Sequence, residues 1–120
     1  MLIQKLRGQG AALPARPPLR AIALAWLGGA LAIATVALAG QQWALSLILG
    51  SFGASCVLVF GFPDVPFSQP RNVVVGHFLS SLIGLVFLQW AGPHWWAMAL
   101  AVGTALAVMM WTRTVHPPAG

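Results

Sequence analysis

Four stretches of this sequence carry no charged residue at all: Ala21–Gly40, Trp43–Gly61, Asn72–Trp90 and Trp95–Thr112. Crossing a hydrocarbon core takes about 20 predominantly apolar residues at ~1.5 Å rise each. Lipid offers the backbone no hydrogen-bond partner, so such segments fold as helices. The runs are also too continuous for the roughly 10-residue alternating strands of a membrane barrel. Composition agrees, with 59% hydrophobic and only 6% charged residues. A soluble domain carries roughly a quarter charged residues, so the composition argues against a free-standing soluble enzyme, and a disordered chain would need far fewer apolar residues. The expected fold class is an all-α membrane protein, four transmembrane helices in a small antiparallel bundle.

The links fix its organisation. Gln41 and Gln42 form a tight connection after Gly40. Residues 62–71 hold Pro63, Pro66, Pro70 and the lone carboxylate Asp64, and Gly92-Pro93 marks the last turn. Short links make neighbours antiparallel, which puts Lys5, Arg7, Arg16, Arg20, Arg71 and Arg113 on one side of the membrane. Positive loops stay cytoplasmic, so both termini are expected inside, in a multi-pass cell-membrane protein (the inner membrane in a bacterium). Trp43, Trp90, Trp95 and Trp96 mark the outer boundary and Trp111 the inner one. Residues 1–20 read as a basic cytoplasmic lead and 21–120 as the transmembrane domain. Ala37-Leu38-Ala39 resembles a signal-peptidase site, but the apolar run before it exceeds the 7–15 residues of an h-region, so the first span is expected to be retained. The single Cys56 leaves the redox compartment open.

Polar and small residues inside spans are where function concentrates. Gly50-Ser51-Phe52-Gly53-Ala54-Ser55 lays two small-residue ridges along the second span. They suit close helix packing, or else a locally unwound segment whose amides and hydroxyls face a substrate. Pro70 suits a first helical position, and Arg71 beside it either stands near free amides that favour an anion or anchors the loop at lipid headgroups. His77 follows about two turns deeper, with Ser80, Ser81 and Gly84 at one-face spacing. It belongs either to a pathway or to a contact between helices. Pro117-Pro118 ends the last helix and pushes His116 extended, one turn after Arg113. The topology gathers Arg71, His77, Arg113 and His116 in the inner half, which favours a small anion. His94 reads as interfacial and Cys56 as packing. No zinc-type His/Cys spacing or phosphate-binding loop occurs.

Gly50–Ser55, Pro63-Asp64, Gln69-Pro70-Arg71-Asn72, Gly76-His77 and Thr112-Arg113-Thr114-Val115-His116-Pro117-Pro118-Ala119-Gly120 resemble, in order, the HPP family of membrane proteins. The resemblance covers residues 50–120, and the first span matches only as an apolar segment. It implies a small helical membrane domain, with nitrite as a candidate substrate because plant chloroplast members are associated with nitrite transport. Family members usually continue past the HPPAG motif into another apolar helix, and some add soluble CBS domains. The resemblance therefore implies a shortened member or part of a longer one.

The functional expectation is a transporter of a small inorganic anion such as nitrite, not an enzyme, without cofactor or metal. Its pathway residues would be Ser51, Ser55, Arg71, His77, Ser81, Arg113 and His116. Gly50, Gly53, Pro70, Asn72, Pro117 and Pro118 would be its structural motif. The partners would be the lipid bilayer, a small anion and further copies of the chain, with no nucleic acid. The alternative is a non-transporting membrane scaffold or sensor.

Overall fold

The computed structural model describes residues 2–6, 15–46 and 50–120. Their regular structure is helical, with no strand among them. A short helix α1 spans Leu2–Leu6. Helix α2 spans Leu19–Gln42, α3 spans Gly50–Cys56, α4 spans Pro70–Ala91 and α5 spans Trp95–Trp111. Arg7 and residues 47–49 of the expected second span lie outside the described residues.

Helix α2 starts two residues earlier than expected, taking in Leu19 and Arg20, and runs through Gln41 and Gln42. The reversal comes at Trp43 and Ala44, so the expected second span does not begin as a helix at Trp43. The hydrogen bonds show why. Leu45 N–H donates to the Gly40 carbonyl at 2.9 Å, and Ala44 N–H to the Gln41 carbonyl at 3.4 Å. This is the Schellman end of a helix, which needs a left-handed residue at its turn. Ala44 supplies it with φ 50°. Helix α5 ends the same way. Thr114 N–H donates to Met109 O at 2.9 Å and Arg113 N–H to Met110 O at 3.2 Å, with Arg113 left-handed at φ 59°.

The small-residue segment Gly50–Ser55 is continuous helix, not an unwound one. It runs directly into a π-helical stretch, Val57–Gly61. At ~1.5 Å per residue the combined 50–61 helix is about 18 Å long, shorter than the roughly 30 Å hydrocarbon core. Two helices, α2 and α4, are long and apolar enough to cross a membrane, while 50–61 and α5 are shorter apolar helices. The close packing expected of Gly50 and Gly53 is also absent among the described residues: a Cβ on either would meet nothing within 4 Å. The close approach occurs at Gly28 instead, where α2 lies against the Phe60 ring and an added Cβ would sit 2.5 Å from it.

Helix α2 packs on the 50–61 helix, and α4 packs on α5. The turn between α4 and α5 needs Gly92, whose φ of 80° suits no other residue well. The two pairs are joined by two short 3-10 turns, Pro66–Ser68 and Pro117–Ala119. The radius of gyration is 17.2 Å, against about 14 Å for a compact globular chain of this length. Among the described residues the buried apolar core amounts to Ala97, Ala105 and Met109, whereas Trp90, Trp95 and Trp111 are 87%, 78% and 86% exposed. An apolar chain with so little interior must place its side chains against lipid or other copies.

Candidate functional site

The site forms where the segment after α5 folds back between the two helix pairs. His116 is extended, φ −131° and ψ 100°, as the following proline demands. It is the most deeply buried polar residue described, at 0% exposure. Its ring reaches two elements: Nδ1 lies 2.6 Å from the Phe67 carbonyl and Nε2 lies 2.9 Å from the Ser55 hydroxyl. A carbonyl can only accept, so Nδ1 carries the proton. In the neutral ring Nε2 then accepts from Ser55. Burial away from water, the largest effect, holds the His116 pKa below its ordinary value of 6.5. The Phe67 hydrogen bond opposes that, and His77 adds to it.

His77 stands on α4 beside it, the two ring centres 5.0 Å apart and inclined by 48°. On its other side lies Phe52 of α3, at 6.3 Å. His77 Nδ1–H donates to the Val73 carbonyl one turn back, at 2.8 Å. Its Nε2 is buried and has no hydrogen-bond partner among the described residues.

Around these rings the turn is locked from several sides. Asn72 Nδ2 donates to the Val115 carbonyl at 2.9 Å, and Thr112 and Thr114 share a 2.7 Å hydroxyl contact. Gly76 is buried beneath the turn: a Cβ there would fall 3.0 Å from His116 Cβ and 3.1 Å from Thr114 O. Ser68 donates to the Leu58 carbonyl at 2.9 Å, joining the proline-rich loop to the π segment. Gln69 Nε2 closes that loop on the Pro63 carbonyl at 3.2 Å.

Of the sequence-expected pathway residues, the structure brings together Ser55, His77 and His116. Arg71 is exposed, and its Nη2 donates to the Thr112 carbonyl at 3.3 Å. That is a cation on a free carbonyl at the end of α5, a favourable place for it. Arg113 is exposed, Ser81 is exposed, and Ser51 is half-buried on α3. Pro70 opens α4 as expected, and Pro117 and Pro118 open the 3-10 turn. Open apolar grooves run along the surface of the described residues. The one beside the site, about 470 Å³, is lined by Ala54, Val57, Leu58, Pro117 and Pro118. Neither it nor the grooves on α5 and between α4 and α5 have Arg71, His77, Arg113 or His116 in their walls. Sequence reasoning missed Ser68 and Thr114, both buried. Their signal was two hydroxyl residues next to prolines and a helix end. Among the described residues no cluster of three or more His, Cys, Asp or Glu could hold a metal ion.

A helical body with a polar knot inside and an apolar exterior defines an integral membrane protein. The HPP transmembrane-region profile matches residues 14–120, and the chain belongs to that family. Two Dictyostelium discoideum proteins named as transmembrane proteins resemble it. One is 38% identical over 115 residues, covering 89% of this chain and 40% of the relative. The other is 37% identical over 115 residues, covering 89% and 37%. The chain thus spans about two-fifths of the length of these relatives. No solved structure matches it significantly.

Proposed function

We propose that this chain is the membrane-embedded part of a transporter for a small inorganic anion, nitrite first, inserted with four helical segments and both ends cytoplasmic. The observation that supports the reading best is the Ser55–His116–His77 cluster, polar chemistry held inside a body otherwise built for lipid. Imidazole within a membrane domain is costly enough to mark a pathway. Exposed Arg71 and Arg113 attract charge to the same face. The sparse interior favours a homo-oligomer, with the path within or between copies. The test is nitrite uptake into proteoliposomes. Flux above that of protein-free vesicles, lost in Arg71→Ala and in His77→Ala, supports transport; flux equal to that of empty vesicles rejects it.

A specific observation favours a second reading, a non-transporting scaffold or sensor. Arg71 is engaged with Thr112 O, and the described grooves are apolar, so the HPP turn serves here as a lock between helix pairs. In that case His77→Ala changes assembly or thermal stability and alters no ion flux.

A further inference from the structure

The two imidazoles are alike in one respect and different in another. Each has its Nδ1 proton committed to a backbone carbonyl, Val73 O for His77 and Phe67 O for His116. In the neutral rings both Nε2 atoms are therefore acceptors. His116 Nε2 is served by the Ser55 hydroxyl. His77 Nε2 is buried and unserved among the described residues, and a buried acceptor left unmade costs about 1–3 kcal/mol. The position calls for a donor.

The surroundings narrow what that donor is. The titratable group facing His77 from the HPP turn is His116, 5.0 Å away. From α3 the facing residue is the uncharged Phe52. Cys56 of α3 lies towards Gly29 of α2, Arg71 of α4 is held by Thr112 O, and Asp64 is exposed in the loop. Among the described residues no carboxylate stands by to balance a charged ring. A bare proton would leave a buried imidazolium without a counter-charge, and a bare anion would face a lone pair. A neutral acid meets neither penalty.

We propose that His77 Nε2 is the binding point for a small weak acid in its protonated form, of the nitrous acid type. This deepens the transport reading and rests on its choice of a small anion as cargo. The acid's O–H donates to Nε2. The proton stays on oxygen, because separating it into a buried imidazolium and an anion costs more than keeping the neutral pair. His116 does not compete for the acid, because its Nε2 is occupied by the Ser55 hydroxyl.

The experiment is 15N NMR of the full chain, histidine-labelled, in lipid nanodiscs, with exposed His94 replaced as His94→Gln to simplify the spectrum. Nitrite and nitrate are compared as probes from about pH 8 to about pH 5, the range over which imidazoles change charge. Both are small oxyanions, but nitrate is the base of a strong acid. The expected result is that nitrite alone shifts the His77 Nε2 signal towards that of a hydrogen-bonded acceptor. Its apparent affinity should tighten about tenfold for each pH unit lowered, since one proton is taken up with each anion. His77→Gln should remove the response. Equal responses to nitrate and nitrite, or no response at His77, overturn the proposal without a variant that must fold. A His77 response without vesicle uptake supports this site and rejects transport. Uptake without a His77 response does the reverse.

Discussion

Replacing Gly76 by alanine adds one methyl group where α4 passes under the HPP turn. The new carbon would lie 3.0 Å from His116 Cβ and 3.1 Å from Thr114 O. Carbon atoms rest at about 3.5–4.0 Å, so the turn would have to withdraw by about half an ångström. It is not free to do so. Asn72 holds Val115 O, Ser55 and Phe67 O hold the His116 ring, and Thr114 N–H is bonded into the end of α5. Overpacking of this kind costs about 1–3 kcal/mol, while alanine regains ~1 kcal/mol of helix propensity. A net loss on the order of 1 kcal/mol is expected. Gly84, on the same helix, is the internal control, since a Cβ there meets nothing within 4 Å. Gly84→Ala should keep the propensity gain, separating the two variants by about 2 kcal/mol. At several degrees per kcal/mol, thermal unfolding in detergent should place Gly76→Ala on the order of 10 °C below Gly84→Ala. A Gly76→Ala melting point at or above that of Gly84→Ala would refute the reading of the turn as a rigid, multiply anchored lid on α4.

Three further outcomes follow from the same geometry. Ser55→Ala leaves His116 Nε2 buried without its donor and should cost about 1–3 kcal/mol, read as a lower melting point; Ser55→Thr, keeping a hydroxyl, should restore much of it. Arg113→Gly relieves a left-handed residue whose strain is roughly 1–2 kcal/mol, so the variant should melt no lower than the parent despite losing a charge; a clear drop would mean that the guanidinium holds the α5 end. The His116 pKa is lowered on folding, so between the folded value and about 6.5 the unfolded chain binds more protons and stability rises with pH. Unfolding midpoints should therefore be flat above about pH 7 and fall as pH drops below about 6.5, a dependence that His116→Gln removes.

Much of the scaffold was legible in the residues. Long uncharged apolar runs gave α2 and α4. Pro70 marked where α4 begins, and Gly92-Pro93 separated it from α5. The start of α3 was not legible. Ala44 adopts a left-handed turn that the sequence signals with no glycine, so Trp43–Ser46 read as part of a span when it is the far side of a helix cap. The inward placement of His116 was half legible: two prolines announce an extended residue, but not the Ser55 and Phe67 partners that draw it inside. The backbone partner of Arg71 was not legible. A charge in a sequence tells which side of a membrane a loop occupies, yet the partner of Arg71 is a backbone carbonyl 41 positions away. No residue type encodes that contact.

The return segment also has a temporal side. Residues 112–120 touch α3, the 66–68 turn, α4 and the end of α5, and they leave the ribosome after all of those have been made. Until that segment is present, the Ser55 hydroxyl lacks the His116 ring as its partner and the His77 ring lacks its imidazole neighbour. A nascent chain halted at Trp111 would lack the Pro117–Ala119 link between the two helix pairs, which residues 112–120 supply.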